Sequence, residues 1–213
     1  LRLDKNSGEK KMQLVGMLDS PYVRRVAISL RLLGLPFEHR SVSVFSTFEQ
    51  FQAINPVVKA PTLVCDDGTL LMDSTLIIDY AETIAGRSLM PSDANERQHA
   101  LRVLGLALAA CEKTVQIVYE RKLRPLEKQH APWVDRVRNQ LAAAYAGLEA
   151  EIRKLPAVAG EASMGQAALT GAVAWSFTQL VIPDVIAPAD YPSLAAFAAD
   201  AEKLPAFMAL PQV

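Results

Sequence analysis

The apolar positions of this chain change period part-way along. Gln13 to Leu18 is a short apolar run that reads as a buried strand. Ser20-Pro21 breaks it, and Val23, Val26, Ala27, Leu30 and Leu33 then recur on one helical face until Gly34 and Pro36 stop the pattern. Phe37 to Val44 alternates, with Phe37, His39, Ser41 and Ser43 on one side and Val42 and Val44 on the other, which predicts a second strand. Phe45 to Ala60 reads as irregular. Pro61 to Cys65 and Thr69 to Met72, joined by Asp66-Asp67-Gly68, predict a β-hairpin, and Asp73-Ser74 opens a helix with Leu76, Ile77, Tyr80, Ala81 and Ile84 as its apolar face. The predicted order is β-α-β followed by β-β-α.

After Met72 no strand pattern recurs. Gly86 to Ser92 interrupts the apolar periodicity, so the expected organisation is a first domain over 12–86, a linker over 87–92 and an all-helical second domain over 93–213. Asp93 and Glu96 have capping-box spacing, and a long helix is expected to run to about Lys122 with Leu101, Leu104, Leu108, Cys111, Val115 and Val118 as its stripe. Pro132 opens another helix, whose apolar positions Val134, Val137, Leu141, Ala144, Leu148, Ile152 and Leu155 keep helical spacing. A central helix from about Ser163 and a terminal one over Pro192 to Lys203 complete the expected set. The expected fold class is a mixed α/β domain followed by an all-α domain.

Composition narrows the function classes. With 22 basic and 23 acidic side chains the net charge is −1, which supplies no general field for a phosphate backbone, so no nucleic-acid partner is expected. The uncharged stretch from Ala162 to Pro183 could span a bilayer by count, yet Gln166, Thr170, Ser176, Thr178 and Gln179 favour a buried core helix, and no membrane association is expected. Only Cys65 and Cys111 could pair, too few for a disulfide framework, which points to a cytoplasmic setting. Residues 1–11 are polar and charge-rich, and they read as a tag or disordered extension preceding a native start at Met12. His39, His99 and His130 lack zinc-ligand spacing, and no metal is expected. There is no dinucleotide fingerprint, P-loop or nucleophile elbow, and both cysteines read as core packing.

Three polar segments stand out against that ordinary background. Ser20-Pro21 sits where a strand gives way to a helix, so Ser20 is a natural N-cap and Pro21 a natural first helical residue. A hydroxyl and free amides at that place also suit an anion. Pro61 leads directly into a strand; a cis Ala60-Pro61 bond would let Ala60 turn its amide and carbonyl toward an extended peptide ligand, although an edge strand begun by proline needs no ligand. Asp73-Ser74 starts a helix as an ordinary acidic cap, and it would equally hold a carboxylate at the helix start while Asp73 accepts from an ammonium.

Together, Ser20-Pro-Tyr-Val-Arg-Arg-Val, Asn55-Pro-Val-Val-Lys-Ala-Pro61, Asp73-Ser74-Thr-Leu-Ile-Ile-Asp-Tyr80, Leu89-Met-Pro91 and the late Leu204-Pro205-Ala206-Phe207 resemble the cytosolic glutathione S-transferase family, of the serine-type, bacterial-like kind. The resemblance covers essentially Met12 to Pro211. It implies a thioredoxin-like N-terminal domain, an α-helical C-terminal domain, glutathione as co-substrate, a small electrophile as second substrate, a role in detoxification and a homodimer. By resemblance, Ser20 faces the glutathione sulfur as the catalytic residue, the main chain of Ala60 before cis-Pro61 pairs with the cysteinyl part, Asp73 and Ser74 serve the γ-glutamyl end, and Lys59 reaches the glycyl carboxylate. Two departures from the family pattern stand out. Ser163-Met-Gly-Gln166 replaces a Ser/Thr-x-x-Asp capping box, with Gln166 expected to close it instead, and Phe45 to Gln52 lacks a basic residue that some classes direct at the glycyl carboxylate. The competing expectations are peroxide reduction, isomerisation or dehalogenation with the same co-substrate, or a non-catalytic binding or assembly module on the same fold.

Overall fold

The computed structural model describes residues 11–212, so the extension expected over residues 1–11 lies, apart from Lys11, outside the described residues. The chain divides into two compact units after Gly86.

The first unit is a four-stranded sheet with three helices. Its strands are β1 (Met12–Val15), β2 (Phe37–Arg40), β3 (Thr62–Val64) and β4 (Leu70–Met72); its helices are α1 (Pro21–Leu33), α2 (Phe48–Ile54) and α3 (Ser74–Ala85). The spatial order is β2-β1-β3-β4. β1 and β2 run parallel because α1 supplies the crossover between them, with Leu14 opposite His39. β3 runs antiparallel to β1, pairing Val15 with Thr62, and β4 completes the expected hairpin. Gly34, at φ 74°, ends α1 in the left-handed region that glycine tolerates. α1 and α3 pack side by side. Val15, Val42 and Phe51 form a further buried cluster, which explains why Phe45 to Ala60 is not wholly irregular: Phe51 anchors a two-turn helix too short to show periodicity.

The second unit is helical throughout. It contains α4 (Ala94–Leu123), α5 (Ala131–Ile152), α6 (Gln166–Val181), α7 (Pro192–Ala201) and α8 (Pro205–Met208), with single 3-10 turns at Leu126–Lys128, Glu161–Ser163 and Pro188–Asp190. α6 is the central element, and nearly every side chain from Gln166 to Thr178 is buried. Among the described residues no helix is long and apolar enough to cross a membrane. A mixed β-α domain followed by an all-helical domain is the architecture the sequence pattern predicts, and the thioredoxin-like topology of the first is what the resemblance implies.

Four local expectations are corrected. β2 stops at Arg40 instead of continuing to Val44, because residues 41–47 turn toward α2. α3 buries Ile77, Ile78 and Ala81 while Leu76 and Ile84 are exposed, so its inward face is rotated from the expected one. α4 packs through Ala100, Val103, Leu104, Ala107, Ala110, Cys111, Thr114 and Ile117, whereas Leu101 is exposed. Small side chains let α4 approach α5 and α6, and that seam is invisible to a search for large apolar residues. Finally, α6 is preceded by Gly165 with no side-chain cap, while the Ser163 hydroxyl donates to the Gly160 carbonyl. Gln166 is the first residue of α6 instead of the third expected of a capping box begun at Ser163, and its amide group donates to the Thr170 hydroxyl inside the helix.

Candidate functional site

Ser20 is the N-cap of α1, with extended backbone and a half-buried side chain. Its Oγ accepts from the Val23 amide at 3.4 Å, a long bond that uses one lone pair and leaves the hydroxyl proton free to donate elsewhere. The approach to Ser20 is a tight turn. Gly16 adopts φ 142°, and the Ser20 amide donates to the Met17 carbonyl at 3.2 Å.

The Ala60-Pro61 peptide bond is cis. Strand pairing with β1 begins only at Thr62, so the backbone of Ala60 lies outside the ladder. The loop leading to it is held from within. Buried Asn55 donates from Nδ2 to Thr62 Oγ1 at 2.8 Å and accepts from the Val57 amide at 3.0 Å, while Thr62 Oγ1 donates to the Lys59 carbonyl at 2.8 Å. Every buried side-chain polar atom of that loop is paired, and Ile54, Val58 and Ala60 pack against the Val15, Val42 and Phe51 cluster, so the turn is well determined.

Asp73 is the N-cap of α3 at φ 73°, a conformation that costs a non-glycine residue about 1 kcal/mol or more. Its Oδ1 accepts from the amides of Thr75 at 2.9 Å and Leu76 at 3.4 Å. Oδ2 faces the Lys59 ammonium at 3.9 Å, with both side chains about half exposed. Lys59 therefore leans toward the start of α3. Ser74 is the first residue of the helix and is buried; its Oγ accepts from Arg25 Nη1 at 2.8 Å.

These contacts draw the three segments together. Gly16 is pressed so closely between α1 and the cis-proline loop that a Cβ there would lie 2.5 Å from Val23 Cγ2 and 3.3 Å from Ala60 Cβ. Arg25 ties α1 to the start of α3, and Lys59 spans from the loop to Asp73. Ser20, Lys59, Ala60, Pro61, Asp73 and Ser74 thus belong to one neighbourhood at the β1–α1 turn, the β3 entry and the α3 start. The arrangement offers a donating hydroxyl, a backbone segment outside the strand ladder, a carboxylate and an ammonium. Such groups match a short peptide with charges of both signs.

Known proteins sharpen that chemistry. A structure of a glutathione transferase family member from Pseudomonas fluorescens Pf-5, with bound glutathione, superposes with a TM-score of 0.82 at 29% identity over 95% of this chain and 100% of that one. The family model described as glutathione S-transferase, N-terminal domain, matches residues 14–89, which include all six candidate residues. Over residues 14–89 the chain is therefore similar to the N-terminal domain of glutathione S-transferases. A Zea mays glutathione transferase is 33% identical over 94 residues, 43% of this chain and 42% of the maize protein. Glutathione S-transferase U4 of Arabidopsis thaliana is 30% identical over 94 residues, 44% of this chain and 42% of the plant protein. The chain thus spans well under half the length of these two curated relatives.

Sequence reasoning passes over the residues that hold the site rather than form it. Gly16, Arg25, Asn55 and Thr62 carry no reactive group, and only their partners reveal what they do. Asn55 was signalled weakly by its place before Pro56, where a side-chain turn is common. Cys65 is buried; burial pushes its thiol above the usual range, and Asp66 and Asp67 act in the same direction against a hydrogen bond with Tyr80. It is a poor nucleophile at neutral pH. Among the described residues no group of His, Cys, Asp and Glu side chains could hold a metal ion.

Proposed function

We infer that the protein is a glutathione-dependent transferase that activates the tripeptide thiol for attack on a small electrophile. The observation that carries this reading is the convergence of Ser20, the backbone before cis-Pro61 and the Asp73-Ser74 helix start on one neighbourhood, in a chain of which 95% superposes on a glutathione-bound structure. Ala60 pairs through its main chain with the cysteinyl residue, Asp73 accepts from the γ-glutamyl ammonium, Ser74 and its amide serve the γ-glutamyl carboxylate, and Lys59 supplies a cation to a carboxylate of the ligand.

Thiol chemistry sets the task. A free thiol with a pKa of about 8.5 is only a few per cent ionised at neutral pH, and the thiolate is the nucleophile. Lowering that value by about two units takes roughly 2.7 kcal/mol of preferential stabilisation of the anion. One hydrogen bond to a charged acceptor contributes about 1.5 to 3 kcal/mol, and the start of α1 about 0.3 to 1 more. A single serine at a helix N-terminus is therefore of the right size. Ser20 donates to the sulfur and does not itself attack. A homodimer belongs to the same reading.

Calorimetric titration with glutathione, followed by ultraviolet titration of the bound thiol in the parent and in Ser20→Ala, tests the proposal. The expected outcome is binding by both proteins, with the variant's bound thiol restored to within about one unit of its free value and turnover reduced about a hundredfold. No heat on titrating the parent at millimolar glutathione would instead support a binding or assembly module with another ligand. An unchanged thiol pKa in Ser20→Ala would remove Ser20 from the mechanism.

A further inference from the structure

The Ser20 cap bond is long, so the position of the hydroxyl depends on the turn that delivers it, and that turn is braced from β2. The Gly16 amide donates to the Arg40 carbonyl at 3.0 Å. The Gly16 carbonyl lies 2.8 Å from His39 Nε2, and because a carbonyl only accepts, that nitrogen must carry the proton. One residue further, the Ser41 hydroxyl donates to Met17 Sδ at 3.1 Å. Both peptide units flanking Gly16 and the side chain of Met17 are thus held by three consecutive residues at the end of β2. The Met17 carbonyl in turn receives the Ser20 amide. The chain of contacts runs His39 to Gly16, Ser41 to Met17, and Met17 to Ser20.

This brace is needed where it stands. At φ 142° Gly16 occupies backbone space that few other residues enter, so its own conformational preference does little to choose the direction of the turn. The neighbours of Gly16 on its other side, Val23 and Ala60, are apolar and pack against it without hydrogen bonding its carbonyl. Arg40 contributes only its backbone to the turn, its guanidinium being directed to Gln13 Oε1 at 3.1 Å. Of the side chains in the brace, the imidazole is therefore the one that orients the carbonyl of Gly16.

We propose that His39 is a positioning residue for thiol activation: by holding the Gly16 carbonyl it sets the Met17–Ser20 turn so that the Ser20 hydroxyl points at the glutathione sulfur. The proposal rests on the reading of Ser20 given above. It assigns His39 no contact with the ligand. Loss of the bond should accordingly act on the thiol and leave the anchoring of the rest of the tripeptide nearly intact.

The test compares the parent with His39→Asn, which is polar but too short to reach Gly16, and His39→Gln, whose amide nitrogen can occupy the place of Nε2. In His39→Asn the bound thiol pKa rises by about one unit and kcat falls roughly tenfold or more, while glutathione affinity stays within about threefold. His39→Gln recovers most of both losses. Ser41→Ala, at an exposed position, moves the pKa the same way by less, and it decides alone should His39→Asn fail to fold. A bound thiol pKa equal to the parent's in the folded variants overturns the proposal, as does an equal loss in His39→Asn and His39→Gln. A parent that binds glutathione without lowering its thiol pKa overturns the reading of Ser20 and this inference with it, an outcome visible before any variant is made.

Discussion

The two units use buried polar groups for different ends. In the first, Asn55, Thr62, Arg25 and Gly16 secure loops and helix starts around a small sheet, and the result is a set of groups held in place near the surface. In the second, buried carboxylates stitch helix to helix. Glu149 of α5 accepts from the amides of Ser193 at 3.0 Å and Leu194 at 2.7 Å, capping an α7 that has no side-chain cap of its own. Glu161, itself exposed, likewise accepts from the Ala206 amide at the start of α8. Tyr145 donates to the Ala174 carbonyl at 3.0 Å and meets Thr178, which also pairs with Thr114. A polar substitution should therefore register as lost chemistry in the first unit and as lost stability in the second.

The sharpest way to break that contrast is Glu149→Leu. It strands the buried Leu194 amide and the part-buried Ser193 amide and deprives Arg153 of its partner at 2.7 Å, so a loss of about 3 kcal/mol is expected in chemical denaturation, with glutathione affinity of the remaining folded protein unchanged. An affinity loss matching the stability loss would mean that the division of labour is wrong.

Acid should expose the same asymmetry. Glu151 is held by hydrogen bonds from Arg102 and Lys154, with burial opposing them and His99 adding a third bond, and its pKa is lowered to about 2. Glu149 is lowered as well: burial opposes ionisation, but the Leu194 amide, Ser193 and Arg153 together outweigh it. A carboxyl whose folded pKa lies below its unfolded value of about 4.3 stabilises fully above that value, and the contribution is lost as pH falls through the folded pKa. Stability of the helical unit should decline from about pH 5 toward pH 2, and Glu151→Gln should flatten that decline in a circular-dichroism titration. An unaltered acid profile in the variant would show that other groups govern it.

The smallest expected change in stability belongs to the first unit. Asp73→Gly removes the N-cap but also the cost of φ 73°, so the melting free energy should shift by less than about 1 kcal/mol. On the proposed reading of the site, glutathione affinity should nevertheless fall roughly tenfold, because the acceptor proposed for the ammonium is gone. Unchanged affinity would remove Asp73 from the ligand site.

Much of this was legible in the chain before any coordinates. Period-2 and period-3.6 patterns separated the strands from the helices, and Ser20-Pro21, Ala60-Pro61 and Asp73-Ser74 announced their turns because caps and prolines act locally. The failures share a cause. Leu76, Ile84 and Leu101 look like core residues by composition yet lie outside it, while Ala107, Ala110 and Thr114 line a buried seam. Periodicity identifies a helix, but which arc faces inward is chosen by the neighbours it packs against. α2 was hidden for a related reason, since seven residues contain too few turns to show a period and its order comes from Phe51 reaching Val15 and Val42.

Sequence alone determined the succession of elements apart from α2 and α8, the change from a mixed to a helical half and the capping residues of α1, α3 and α4, since these follow from backbone preferences within a few positions. Tertiary structure alone decided that Gly16 sits between Val23 and Ala60, that Arg25 reaches Ser74, that His39 meets the Gly16 carbonyl and that Glu149 caps a helix 44 residues further on. Each of those contacts joins residues far apart along the chain. Its formation depends on the simultaneous packing of several elements, a condition that no local pattern encodes.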